Sequence, residues 1–342
     1  LTGAYAAFAL MAAERHRRLT GAGQEVRVPL GDIAIATVGN LGQMVLAELK
    51  QRGHRVLAMD LDNPGNRQLA NTLKPLYDEL AWGDLRTVDF KPLLQGCIAV
   101  IHLAAVLPPG TERAPELADD INVKATLRLI ADIEERINKP LLVYPSSVTV
   151  FGMPEPSTRL MQAGDAVAPS DNYTRHKVEV EQQLAASNIP WSVLRVGVSV
   201  DSRTLGADLQ MIRKLFQVAP DNPLEYVHPC DVATAMANAI NNPRAVGKVL
   251  LLGGGGDCRV TQHQFLSAAI NALGIELPRD MLGHERYYTS WMDTAEAQDI
   301  LQFQHHRFAD YQQDMRQRLR WVRLLTAPLA PLVLWIMRRL LK

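Results

Sequence analysis

Tyr173 and Lys177 stand four residues apart in Asn172-Tyr-Thr-Arg-His-Lys177, so on a helix they share one face. A phenol with a free pKa near 10 is a poor acid–base group at neutral pH. An ammonium beside it favours the phenolate, and the pair then suits proton transfer. Upstream, Val143-Tyr-Pro-Ser-Ser147 reads as a strand that ends in hydroxyls. Ser147 there can hold a carbonyl or alcohol oxygen, and Ser146 takes its place if the register slips by one. An exposed i,i+4 pair is common on ordinary helices, so Tyr173 and Lys177 gain meaning only in the company of Ser147 and of a glycine turn further upstream.

That turn is Gly39-Asn40-Leu41-Gly42, at the end of the apolar run from Ile33. A helical pattern follows (Met44, Val45, Leu46, Leu49), then a second apolar run, Val56 to Met59, closing on Asp60. Strand, glycine turn, helix, strand and acid is the order that a dinucleotide site needs. The turn lets backbone approach a pyrophosphate, the helix N-terminus attracts its charge, and the acid accepts from ribose hydroxyls. A carboxylate at 60, followed by Leu61 rather than Arg, repels a 2′-phosphate and favours NAD over NADP. Asp62 competes with Asp60 because a strand end is uncertain by two residues. In the spacing G-x-x-G-x-x-G the first glycine falls on Ala36, whose Cβ crowds the turn and puts cofactor affinity in question.

Strand-like runs at 33–38, 55–60, 98–103, 141–146 and 191–196 alternate with helical patterns at 42–52, 66–80, 119–136 and 171–187. Short continuous apolar strands between helices predict a doubly wound parallel sheet, an α/β Rossmann fold, followed by a small C-terminal substrate-binding α/β portion. Its expected divisions are 1–30 (helix and strand), 31–197 (Rossmann domain), 198–310 (substrate-binding portion interleaved with the core) and 311–342 (basic and apolar tail). Pro145 inside a strand end argues against a regular ladder there.

Several stretches in this order resemble the extended short-chain dehydrogenase/reductases, the NAD-dependent epimerase/dehydratase branch. They are Trp82-Gly-Asp84-Leu, Ala99-Val-Ile-His-Leu-Ala-Ala105, Ile121-Asn-Val-Lys-Ala-Thr126, Val143 to Gly152, Asn172 to Lys177 with Glu181, Leu194-Arg-Val-Gly197 and Val227-His-Pro-Cys-Asp231. The resemblance covers about residues 36–310, each motif being weak alone and the ordered set specific. It implies an NAD-dependent oxidoreductase or epimerase that moves a hydride at a substrate alcohol or ketone. Ser147, Tyr173 and Lys177 would form the catalytic set, with the lysine also holding the nicotinamide ribose. The implied cofactor contacts are Gly39, Asn40, Leu41, Gly42, Asp60, Leu85, Leu103, Ala104, Ala105, Tyr173 and Lys177, with Asp84 near the adenine amino group. Asn122 joins them as a residue near the cofactor, its plainer role being a helix cap. Arg195-Val-Gly departs from the family's Arg-Pro-Gly. A non-catalytic dinucleotide sensor is the competing reading.

Residues 1–10 and 14–32, over about the first 40 residues, are similar to an internal segment of family III CoA-transferases. No catalytic aspartate of that family is identifiable, so the implied alternative is a CoA-ester enzyme remnant or a fused fragment.

Lys and Arg total 36 and Asp and Glu 36, so no basic field invites nucleic acid. Cys97, Cys230 and Cys258 lie far apart, which suits a reducing, cytoplasmic setting. Tyr5 to Ala13 is apolar, but its charged flank follows rather than precedes it, the reverse of a secretory signal. His228, Cys230 and Asp231 lack the partner cluster of a metal site, and His305-His306 reads as solvent-facing. Gly253 to Gly256 lacks the Lys-Ser/Thr of a phosphate loop and reads as a flexible turn. Tyr287, Tyr288 and Trp291 would line an apolar pocket or belong to the core. Leu324 to Met337 is apolar, with Arg316, Arg318, Arg320 and Arg323 before it and Arg338, Arg339 and Lys342 after it. Fourteen residues with two prolines are too short and broken to span a bilayer; they suit membrane-surface contact or docking on a second subunit in a homodimer.

Overall fold

The computed structural model describes residues 32–36, 40–153, 159–200 and 209–340, with the path of β1 (Asp32–Ala36) given by its backbone. Gly39, and the stretch that resembles CoA-transferases up to residue 31, lie outside the described residues.

β1 leads into α1 (Asn40–Gln51) and β2 (Arg55–Asp60). Then come α2 (Pro64–Leu73) and β3 (Glu79–Trp82). β4 (Cys97–Ile101), α3 (Ala125–Glu134), β5 (Leu141–Ser147), α4 (Asn172–Ala186) and β6 (Trp191–Val196) follow. After α5 (Leu209–Gln217) the chain forms β7 (Pro223–Glu225), α6 (Pro229–Ala239) and β8 (Lys248–Leu252). It ends with β9 (Arg259–Thr261), α7 (Gln262–Ala272), α8 (Ala295–Leu301), α9 (Phe308–Thr326) and α10 (Ala330–Leu340).

Seven strands form one sheet in the order β3-β2-β1-β4-β5-β6-β8, every pairing parallel. β7 and β9 form a separate antiparallel pair. The order reverses between β1 and β4, so the crevice beyond the carboxyl ends of these two strands is where an open α/β sheet binds ligands. Strands this deep are apolar on both faces because helices cover both. On one face Val45, Leu46 and Leu49 of α1 pack with Val232, Ala235, Met236 and Ala239 of α6. On the other, Leu129, Ile130 and Ile133 of α3 meet Val180 and Leu184 of α4 over Val100, Leu142 and Val193. A second core, with Tyr226, Phe265, Phe308 and Tyr311 at its centre, sits under the later helices. The chain after residue 198 thus returns to the first sheet through α6 and β8 as well as building this second core.

Four expectations need correction. The helix expected over 66–80 ends at Leu73, because Pro75 forces a short 3-10 turn at Lys74–Leu76. The chain then emerges as edge strand β3, which a helical reading of 66–80 hides. The helix over 119–136 opens with a π-turn at Asp120–Lys124. Pro145 does not break the ladder: β4 pairs with β5 only as far as Ile101 with Val143, so the missing N–H lies beyond β4's end. Finally, the two prolines near the C-terminus do not end the helix there. Pro328 opens a 3-10 turn at Ala327–Leu329 and Pro331 falls in the first turn of α10, positions where a missing N–H is cheap. Phe308–Leu340 is one helix long and apolar enough, by length and composition, to cross a membrane.

Candidate functional site

β5 ends at Ser147 and α4 begins at Asn172, and the two ends meet at the carboxyl edge of the sheet. The start of α4 is fixed twice. Asp171 caps it, its carboxylate accepting from Thr174 N at 2.8 Å while the Thr174 hydroxyl accepts from Asp171 N. Glu112 accepts from Asn172 N and Asn172 Nδ2, both at 2.9 Å. Tyr173 is therefore held at a rigid helix N-terminus, close enough to Ser147 for that hydroxyl to bear on its pKa. Ser147 Oγ also lies 2.8 Å from Thr149 Oγ1.

Lys177 is buried one turn on. Its ammonium donates to Pro145 O at 2.7 Å and sits 4.4 Å over the Tyr144 ring and 5.6 Å from the Tyr173 ring centre. Burial lowers its pKa from 10.5 to about 8, with Glu181 pulling the other way. The expectation that this ammonium draws the Tyr173 phenol down is not met. Burial pushes Tyr173 up to about 12, Asp171 and Tyr287 adding to it and the nearby Ser147 hydroxyl opposing. At neutral pH this tyrosine is a phenol, the form that donates a proton.

Ser146 points to the other face, as strand alternation requires. Its hydroxyl donates to Glu181 Oε1 at 2.5 Å, and Glu181 is bridged by Arg195, Nη2 to Oε2 at 2.6 Å and Nε to Oε1 at 3.1 Å. Arg195 also donates to Ala163 O and stacks 4.7 Å over Phe151. This buried network, beneath the site, occupies Ser146 and leaves Ser147 as the hydroxyl at Tyr173. A hint of it lay in Glu181 standing one helical turn past Lys177.

Asn122 is not a helix cap. It lies in the π-turn, a distortion that gathers at functional sites. Its Oδ1 accepts from Val106 N at 2.7 Å and its Nδ2 donates to Val106 O at 2.9 Å, clamping the loop after β4. Nδ2 is also 3.3 Å from His176 Nδ1. His102, at the end of β4, meets Thr126 Oγ1 at 2.9 Å, and burial holds its pKa down to about 4, so the ring is neutral.

A cavity of about 330 Å³ opens at the carboxyl ends of β2, β3 and β4. Asp60, Asp84, Leu85, Ala104 and Ala105 line it, with Val106 and Ile121 beside them. Its size falls at the lower end of the roughly 300–1,000 Å³ range of small-molecule pockets. Asp60 Oδ1 accepts from Leu61 N and Asn66 Nδ2 at the cavity wall. Asp62, its competitor, is forked onto Arg67 instead. Asp84 binds Arg86 through Nη2 at 2.6 Å, which holds its pKa below the usual carboxylate range. Arg128 steadies the same loop by donating to the carbonyls of Leu85, Arg86 and Val88, a role with no signature in the sequence. Leu41 and Leu103 pack partly buried against the main core, and Gly42 lies in the first turn of α1. A larger cavity, about 610 Å³, lies at the opposite edge around Gly96, Cys97 and Asn138, away from all of these residues.

Other expectations sort as follows. Gly253 and Gly254 serve close packing: an added Cβ would collide with the Glu225 carboxylate at the first and with the Cys258 thiol at the second. His306 is not merely solvent-facing, since it stacks on His228 at 4.2 Å and its Nδ1 contacts Asp231 at 2.5 Å. Asp231 also accepts from the backbone of His305 and His306. Tyr287 is 44% exposed and near enough to bear on Tyr173, whereas Trp291 donates inward to Val260 O.

The fold and this edge together define a class: a parallel Rossmann sheet with a serine, a tyrosine and a lysine at the carboxyl ends of β5 and α4's first turns. Residues 37–196 match the model of the NAD dependent epimerase/dehydratase family. Over these residues the chain is similar to that family, a branch of the extended short-chain dehydrogenase/reductases, and the match supports an NAD-dependent enzyme. Solved structures agree in fold. A UDP-glucose-4-epimerase from Stenotrophomonas maltophila aligns with TM-score 0.71 at 21% identity, covering 86% of this chain and 99% of that one. The UDP-glucuronic acid 4-epimerase of Bacillus cereus gives 0.70 at 17%, covering 85% and 99%. Both were crystallised with NAD. The chain also shares 45% identity over 64 residues with 2-methylfumaryl-CoA isomerase of Chloroflexus aurantiacus. That match spans 19% of this chain and only 13% of that protein.

Proposed function

We infer that the protein interconverts a secondary alcohol and a ketone, as an oxidoreductase or as an epimerase passing through the ketone, with Tyr173 as the acid–base group. The observations that carry this are the junction of Ser147, Tyr173 and Lys177 at the carboxyl end of β5 and a cavity lined by Asp60 and Asp84 at the carboxyl ends of neighbouring strands of the same sheet. The residues suit NAD: a carboxylate at the end of β2 for ribose hydroxyls, small Ala104 and Ala105 at the switch point, and the α1 N-terminus for the pyrophosphate. When bound, the nicotinamide supplies the acceptor or donor of hydride. Toward a ketone, Tyr173 gives its proton to the oxygen as the carbon gains hydride; toward an alcohol, the oxygen's proton returns to Tyr173 as the carbon loses hydride. Ser147 would hold that oxygen by hydrogen bond. Lys177, whose ammonium donates to Pro145 O and sits 5.6 Å from the Tyr173 ring centre, would supply positive charge beside the phenol and a donor for the ribose of a bound cofactor. Asn122 fixes the loop after β4, whose Val106 lines the cavity that would take the cofactor.

Several structural neighbours are named for UDP-sugars. At 16–21% identity they support the fold, so the substrate proposed here is a small-molecule alcohol or ketone without a finer class. Titration of the protein with NADH and NADPH, read by nicotinamide fluorescence, tests the reading. Tight binding of NADH, weak binding of NADPH and loss of the NADH signal in Asp60→Ala support it; no binding of either would refute it.

A further inference from the structure

We propose that the C-terminal helical arm is an in-plane membrane anchor that seats the protein on an anionic bilayer surface. α10 lies along the body rather than projecting from it. Arg338 Nη2 bridges Asp280 at 3.0 Å, Arg213 Nε donates to Leu340 O at 2.7 Å, and the Thr326 hydroxyl donates to Leu273 O at 2.6 Å. Met337 packs on the aromatic core. The inward stripe is thus satisfied by protein, and the apolar residues opposite it are not. Trp321, Leu325, Leu329, Leu332, Trp335 and Ile336 run down the outer side, mostly at three- and four-residue steps, and are between 41% and 73% exposed. A soluble surface helix has the opposite arrangement, with its apolar stripe inward and charge outward. So large an outward apolar strip marks an interaction site.

Charge identifies the occupant. From Met315 to Lys342 there are seven Lys and Arg and no Asp or Glu, in a chain whose totals are 36 and 36, so the residues before it carry the balancing excess of acid. Both tryptophans carry an arginine over the ring, Arg320 at 5.1 Å and Arg339 at 5.0 Å from the ring centre. Trp with a cation at each end of an apolar strip matches the headgroup layer, where the ring sits at the boundary and the guanidinium meets phosphate. A second copy would bring its own basic flanks against these, like charge on like. The whole helix Phe308–Leu340 is long enough to span. Its charge-free stretch, Leu324 to Met337 between Arg323 and Arg338, covers about 21 Å at about 1.5 Å per residue, short of a hydrocarbon core of about 30 Å, which favours lying in the interface.

The test is flotation of the full chain with vesicles of phosphatidylcholine alone and of phosphatidylcholine mixed with phosphatidylglycerol. The protein should float with the anionic vesicles, more weakly with the neutral ones, and the bound fraction should fall as salt rises. Leu325→Glu/Leu329→Glu should lower the partition coefficient on the order of a hundredfold, with the wild-type melting temperature showing that the fold is intact. Failure to float on anionic vesicles, or equal flotation of the variant, would overturn the proposal. So would retention that survives high salt and alkaline washing, which is the behaviour of a span. A dimer seen by sedimentation that Leu325→Glu disperses, in protein that ignores vesicles, would assign the strip to a second copy instead.

Discussion

Replacing Lys177 by methionine exposes what the buried ammonium costs. Its pKa falls from 10.5 to about 8 through burial, so the unfolded chain holds the proton over a window in which the folded chain has released it. Stability therefore rises with pH between about 8 and 10.5, and the group's full penalty is present below that window. The whole fall is worth about 3–4 kcal/mol at about 1.4 kcal/mol per pH unit, of which roughly 2–3 kcal/mol is recovered between pH 7 and pH 10. The methionine has nothing to titrate, and every other group is common to both proteins. The stability of the wild type minus that of Lys177→Met, from urea unfolding without added cofactor, should thus increase by roughly 2–3 kcal/mol from pH 7 to pH 10. The absolute difference at pH 7 also contains the orphaned Pro145 carbonyl, so the pH dependence is the diagnostic quantity. A difference that stays flat, or that moves the other way, would refute the burial argument.

Three further perturbations probe the surroundings. Asp60→Ala should weaken NADH binding by about 1–3 kcal/mol and narrow the gap between NADH and NADPH, measured by fluorescence titration. Glu181→Ala leaves Arg195 as an uncompensated buried charge and frees the Ser146 hydroxyl, so chemical denaturation should show a loss of about 3–5 kcal/mol. Asn122→Ala removes both hydrogen bonds to Val106; a loss of about 1–3 kcal/mol is expected, with faster amide exchange at Val106.

Much of this site is readable from residue types because its parts sit where strands end. Apolar runs closing on Asp60, on Ala104-Ala105 and on Ser147 announce the carboxyl edge of a parallel sheet, and the i,i+4 spacing of Tyr173 and Lys177 survives any small error in helix ends. What stays hidden depends on tertiary contact. β3 is four residues long and follows Pro75, so local pattern merges it with the helix before it. The raised pKa of Tyr173 comes from burial and from Asp171 and Tyr287, neither of which the Tyr–Lys spacing reveals. Arg128 reaches back about 40 residues in sequence to hold the Asp84 loop, and long-range hydrogen bonding of that kind has no local periodicity. The prolines at 328 and 331 read as helix breakers in the sequence, but first-turn positions absorb them.

Turnover of any accepted alcohol or ketone by Tyr173→Phe, compared with the wild type at matched NADH occupancy, tests the central claim most directly. Loss of the phenolic proton should lower kcat by about 10²- to 10⁴-fold while NADH affinity is unchanged. A variant that turns over at the wild-type rate would contradict the assignment of Tyr173 as the acid–base group.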